Sequence, residues 1–197
     1  MRPQRTPQLP PRERIIDAAQ ALFMEQGISR VSVDAIAALA ASTKMTVYRH
    51  FESKDVLILD WLAGLTASYS GVLDRLAADY PDAPDQQLLG FVAFIVQDLE
   101  RSGYRGCPFT NTLAELPDDA HPARALIQAH KQRQFARLTE LCTRIWLDEP
   151  QEVAEELTLL MEGAQVVAQN KGLANPGERL TRMVQRRLEA VVSLCPP

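Results

Sequence analysis

A chain of 197 residues, 46 % hydrophobic and 23 % charged, is long enough for one domain or for a small domain joined to a larger one, and too apolar for general disorder. Its net charge of −4 gives no uniformly basic surface, but the charge is segregated: residues 1–55 carry eight Lys/Arg against six acids, and the remainder is acidic. Three scattered cysteines, Cys107, Cys142 and Cys195, exclude a disulfide framework or zinc site, the longest central apolar run (Phe91 to Val96) is far short of a membrane span, and the Arg/Pro-rich start has no apolar signal core, so a reducing cytoplasm and no membrane partner are expected.

Helical spacing runs through nearly the whole chain and no period-two alternation persists, which predicts an all-α fold. After a Pro/Arg-rich arm over residues 1–10, Pro11 opens a helix through Ile15, Ala19, Leu22 and Phe23, and Gly27 stops it. Ser32 caps a short helix, "VDAIAALA". Ala40-Ala41-Ser42 make a tight turn, Thr43 caps "KMTVYRHF", and Ser53 caps a long helix to about Tyr80. Pro81, Pro84 and Asp85 punctuate. A helix apolar on two faces follows, with Leu88, Phe91, Val92, Ile95 and Leu99 on one and Leu89, Ala93 and Val96 on the other. Gly103 and Gly106 end it. "CPFTNTLAEL" reads as a short helix or turn. The seventh helix spans about Pro122 to Leu147, the eighth runs from Pro150 to near Gly172, and Asn175–Glu178 has capping-box spacing before a last helix to about Leu194. The result is about nine helices.

Three helices within about 50 residues, the last two short and joined by a tight turn, form a helix-turn-helix arrangement. The N-terminus of the third helix would enter a major groove, bringing Thr43, Lys44, Met45 and Thr46 to base edges. Lys44 can donate to guanine, Thr46 can bond either way, and Met45 can meet a thymine methyl. Tyr48 and His50 can donate to phosphate, as can Lys54 at the start of the fourth helix. Taken singly, Tyr48 and His50 suit a core position as well as a contact. Val47 and Phe51 should face inward.

Residues 12–60 resemble the DNA-binding head of the tetracycline-repressor (TetR) family. The match includes Ala19-x-x-Leu22-Phe23-x-x-x-Gly27, Ser32-Val33 before Ile36-Ala37, and Val47-Tyr48-Arg49-His50-Phe51 followed by Ser53-Lys54. The helix count and chain length also fit. The resemblance implies a helix-turn-helix domain over 11–53 and a ligand-binding and dimerisation domain over 54–197. It implies that Ser32, Thr43, Lys44, Thr46, Tyr48, His50 and Lys54 contact double-stranded operator DNA. Three positions depart from the family: Ala41 where glycine is usual, Ser42 where an apolar residue is usual, and Met45 where glycine is common.

The larger half is less explicit. On the seventh helix His130 and Gln134 interrupt the stripe Ile127, Leu138, Leu141, Ile145. They either bond to neighbouring backbone or mark a pocket for a small-molecule inducer, with Phe94, Cys107, Phe109, Asn111 and Met161 as further lining candidates. Cys107, in "RGCPFTN", has no sequence-adjacent cation beyond Arg105, so a buried inert thiol is favoured over a redox sensor. A homodimer is expected through Leu157, Leu160, Ala164 and Ala168 of the eighth helix and Leu180, Val184, Leu188 and Val191 of the ninth, with Glu162, Gln165 and Gln169 as a solvated rim. No catalytic constellation, cofactor motif or metal-ligand spacing is present in the sequence. The reading is a ligand-responsive dimeric transcriptional regulator, most simply a repressor; a thiol-based sensor using Cys107 is the alternative.

Overall fold

The structure, a computed structural model, describes residues 9–116, 118–145 and 148–192, with side chains as far as 189. The expected helix ends at Leu147 and Leu194, the side chain of Val191, Cys195 and the first eight residues of the arm lie outside the described residues. Among the described residues there are nine helices and no strand: α1 (Pro11–Gln26), α2 (Val33–Leu39), α3 (Lys44–His50), α4 (Lys54–Asp79), α5 (Pro84–Arg101), α6 (Pro108–Glu115), α7 (Pro122–Arg144), α8 (Pro150–Gln169) and α9 (Pro176–Val192).

The helix starts follow local chemistry. Proline occupies the first turn of α1, α5, α6, α7 and α8, where its missing N–H would have had no helical partner. Ser32, Thr43 and Ser53 cap α2, α3 and α4, their hydroxyls accepting from the amides of Ala35, Thr46 and Val56 at 3.1, 3.1 and 3.2 Å.

Helices α1–α3 close on Ile15, Ala19, Phe23, Ile36, Val47 and Phe51, all buried, as the inward assignment of Val47 and Phe51 requires. The α2–α3 turn is a Schellman motif: Ala41 N–H donates to Ala38 O at 3.1 Å and Ser42 N–H to Ala37 O at 2.9 Å. The motif needs a left-handed residue, and Ala41 supplies it at φ 48°. That backbone strains any residue with a Cβ.

Helix α4 runs from this head into the body, packing on α1, α5 and α7. By length and composition alone this 26-residue helix could cross a membrane, a test that a buried core helix also passes. Its inner residues Leu57, Ile58, Trp61, Leu62, Tyr69, Val72 and Leu73 are buried in the core. Helix α5 buries one face, Leu88 to Leu99. The second apolar face is only partly covered, with Leu89 and Val96 half-buried and Ala93 exposed.

The stripes assigned to a dimer need correction. Leu157, Ala168, Leu180 and Val184 are buried inside the protomer, at 5 % exposure or less, because α8 and α9 turn these faces onto α5, α7 and each other. Leu160, Ala164 and Leu188 are half-covered. The outward apolar residues of these helices are Leu159, Val166 and Met183. Gln165 is not rim either: it is buried, and its side-chain amide donates to Met161 O at 3.2 Å.

Replacing Ala41 with glycine should raise the unfolding free energy by about 1 kcal/mol, since the left-handed penalty exceeds the extra chain entropy of glycine. Urea unfolding measures it; an unchanged or lower midpoint would show that Ala41 is unstrained.

Candidate functional site

The head presents one polar face. Met45 is 83 % and Tyr48 45 % exposed; Lys44 and His50 are also exposed, and Thr46 is half-exposed. Two predicted base readers are already engaged. The Thr43 hydroxyl is the α3 cap and lies 2.9 Å from the Thr46 hydroxyl. Lys44 Nζ pairs with Asp34 Oδ2 of α2 at 2.9 Å, and this bond raises the Lys44 ammonium above the ordinary lysine value. The pair spans the two helices of the motif and gives the Lys44 head a fixed direction on the outer face. Asp34 was not singled out from sequence; its place in the first turn of α2, ten residues before Lys44, was the available signal. Ser32 is committed to its cap, with its side chain exposed. Lys54 is half-buried; burial lowers its ammonium, against the opposing pull of Asp55 and Glu115.

The head is fastened to the body at two places. Phe23 of α1 packs on Trp61 of α4 with ring centroids 5.2 Å apart, and Arg12 pairs with Asp60 at 2.7 Å. The second place is the end of α6. Glu115 Oε2 accepts from the Ser29 backbone N–H at 2.7 Å, and Ser29 Oγ donates to Glu115 O at 3.4 Å. Gly27, at φ 84°, lies so close that a Cβ there would fall 2.2 Å from Glu115 Oε1. Nearby, His121 Nδ1 caps α7 while its Nε2 stands 3.8 Å from Asp55 Oδ1 at the start of α4.

Inside the body, α4, α5 and α7 enclose a cavity of about 400 Å³ whose wall includes Tyr69, Leu73, Phe91, His130 and Gln134. Of the residues read from sequence as lining candidates, His130 and Gln134 reach it directly. Phe109 and Phe94 form the layer behind: Phe109 lies 4.3 Å from the His130 ring, and Phe94 meets Tyr69 edge-on at 4.9 Å. Asn111 is elsewhere, donating to Arg105 O at 2.7 Å and lining a smaller cavity of about 190 Å³ at the head–body joint. Cys107 and Met161 are buried and line neither cavity. The α4 and α5 contributions, Tyr69, Ser70, Leu73 and Phe91, were missed as lining because a core stripe and a cavity wall have the same apolar spacing.

The Tyr69 hydroxyl donates to Asp98 Oδ2 at 2.6 Å, and burial with the Asp98 charge pushes its pKa up. Burial, then Lys131 and Arg133, hold His130 down at about 4, so the ring facing the cavity is neutral at pH 7.

Cys107 does have a cation beside it, contrary to the sequence reading. Lys131 Nζ, brought across by α7, lies 3.6 Å from its sulfur and is also bonded to Glu162. Burial would lower the Lys131 ammonium, but Cys107 and Glu162 outweigh it and raise the pKa. Glu162 is therefore an ion-pair partner; Gln169, at the other end of the stripe, donates to Asn111 Oδ1 at 3.3 Å.

A capped helix pair carrying exposed Lys44, Met45 and Tyr48, fastened to a larger helical body with its own cavity, defines a helix-turn-helix transcriptional regulator. The family model described as bacterial regulatory proteins, tetR family, matches residues 15–60. A TetR-family transcriptional regulator from Streptomyces coelicolor is similar along nearly the whole chain, with 31 % identity, a TM-score of 0.80, and coverage of 93 % of this chain and 94 % of that one. The HTH-type transcriptional regulator YjdC of Escherichia coli is 25 % identical over 152 residues, 77 % of this chain and 80 % of YjdC. The HTH-type transcriptional repressor NicS of Pseudomonas putida is 33 % identical over 84 residues, 43 % of this chain and 39 % of NicS. The chain belongs to the TetR family of transcriptional regulators.

Tyr48→Phe should weaken binding to specific and scrambled duplexes alike, by about fivefold, because it removes a phosphate bond worth about 1 kcal/mol. Lys44→Ala should instead change the preferred base at one position of each half-site. Fluorescence anisotropy on a panel of single-base variants separates the two; a changed preference in Tyr48→Phe would reverse the roles.

Proposed function

We propose that the protein is a cytoplasmic, dimeric repressor that grips a near-palindromic operator with two heads and releases it when a small molecule enters the body cavity. Double-stranded DNA is its macromolecular partner, with half-sites read in successive major grooves about one helical turn apart. The similarity to NicS, itself a repressor, supports repression.

The observation that carries the ligand response is a continuous path from cavity to head. His130 lines the cavity and rests on Phe109 at 4.3 Å. Phe109 stands in the first turn of α6, and the last residue of α6, Glu115, holds the Ser29 amide of the head. A ligand that shifts the His130 ring presses on Phe109, and a helix only eight residues long passes the displacement to Ser29 as a rigid rod. Helix α4 also packs on both head and body, so α6 is a second coupler. Tilting one head relative to its twin misaligns two readers that must fit a fixed groove repeat.

The exposure of Leu159, Val166 and Met183, at 74 %, 50 % and 49 %, supports a dimer contact on the outward faces of α8 and α9, with Leu160, Ala164 and Leu188 at the margin. Two such helices per protomer form an isologous four-helix contact. The thiol reading gains Lys131 as an observation, but Cys107 is 6 % exposed and Lys131 is already paired with Glu162, so the ligand reading is preferred.

A compound that releases the operator in a small-molecule screen provides the test. Titrated by calorimetry, it should bind the protein–operator complex about 5–150-fold more weakly than the free protein, the reciprocal of its effect on DNA. Equal affinity for both would contradict a coupled cavity.

A further inference from the structure

Two buried polar atoms in the cavity wall have no hydrogen-bond partner: Nε2 of His130 and Oε1 of Gln134. Their residues are 3 % and 8 % exposed and lie one turn apart on the same face of α7. A buried polar atom without a partner is destabilising, and here two of them belong to residues that line the same cavity.

The surroundings restrict what could satisfy both. Phe91 and Leu73 supply apolar wall, and the His130 ring, tilted 30° from Phe109 and met edge-on by Tyr69 at 5.7 Å, offers a fixed flat surface. Such surfaces favour an aromatic guest. Both unpaired atoms belong to uncharged side chains, and the neutral state of His130 is held by burial and by two nearby cations. The ionic groups of the lining, Arg133 and Arg137 against Asp74 and Glu140, cancel, with Arg137 bonded to Asp74 at 3.0 Å and within 3.8 Å of Glu140. Arg133, on the exposed side of α7, has no ion pair among the described residues, so an acid is the rival that the test must exclude.

On the reading of this cavity as the effector site, we propose that its ligand is a neutral one- or two-ring aromatic molecule carrying a hydroxyl group, seated hydroxyl-first between His130 and Gln134. A hydroxyl gives and takes a hydrogen bond through one atom: it can donate to Gln134 Oε1 and accept from the Nε2–H tautomer of His130. A carboxylate cannot donate to Gln134 Oε1, and an ammonium would sit beside Lys131 and Arg133, the two cations that already disfavour a positive charge at His130. The volume of about 400 Å³ suits this ligand size.

The test uses β-naphthol against three analogues of the same ring: β-naphthoate, β-naphthylmethylammonium and methyl β-naphthyl ether, titrated calorimetrically at pH 7.5. β-Naphthol should bind about tenfold or more tighter than each analogue, since the acid and the ether leave Gln134 Oε1 unpaired and the ammonium meets the field of Lys131 and Arg133. His130→Phe and Gln134→Leu should each lower β-naphthol affinity about tenfold while keeping or raising the thermal midpoint of the ligand-free protein, because each removes an unpartnered buried atom. A purely structural His130 or Gln134 would lower that midpoint. Tighter binding of either ion, equal binding of the ether, no binding of β-naphthol, or undiminished affinity in both variants would overturn the ligand class. Operator release, followed by anisotropy on a duplex this protein selects from a random pool, separates the two readings. β-Naphthol that binds through His130 without releasing DNA keeps the ligand class and contradicts the effector site. Release by an ionic analogue bound in the cavity keeps the effector site and overturns the ligand class.

Discussion

The contact between Glu115 and the Ser29 amide joins two parts of the molecule with different chemistry. It is a charge-assisted bond of 2.7 Å between the end of α6 and the α1–α2 connection, and it forms only because Gly27 leaves room for the carboxylate. Any side chain at Gly27 would displace Glu115 and strain a left-handed backbone at once. Since α6 begins against His130 and ends on Ser29, the proposed response would reach the head through this bond, by a path separate from α4. The Phe23–Trp61 contact is the other join between head and body.

The charge distribution fits this division. The head has more cations than acids and the acids lie mainly in the body, so the acidic total conceals a head suited to phosphate. The molecule also retains local strain where the proposed function needs it. Ala41 holds a left-handed turn between the two helices of the reading motif, and His130 and Gln134 leave polar atoms unpartnered beside the cavity. Each lowers stability in the free protein, and the proposed guest would relieve the second kind.

The head was legible in the sequence because its signals are local. Ser32, Thr43 and Ser53 cap the helices that follow them, and the inward spacing of Val47 and Phe51 sits within one short helix. The body was legible as helices but not as surfaces. An apolar stripe states that a face is covered, not by what, so Leu157, Leu180 and Val184 read as well for a partner as for the protomer's own core. Gln165 looked like rim because its bond to Met161 O lies within its own helix. The Lys131–Cys107 and Glu115–Ser29 contacts join residues 24 and 86 positions apart, a separation that no local pattern encodes. His130 and Gln134 stood out because a polar pair on an apolar face violates the local rule, and violations of that kind mark sites.

The central claim, that the state of the cavity reaches the head through α6, is tested most directly by a double-mutant cycle on operator affinity. Ser70→Trp fills the cavity from α4, and Glu115→Gln weakens the bond to Ser29. The account predicts that Ser70→Trp alone weakens operator binding by about 5–150-fold, the span of typical allosteric coupling, and that the same substitution in the Glu115→Gln background has at most about a twofold effect. An equal loss of affinity in both backgrounds would show that the signal does not pass through α6, and the account would be wrong.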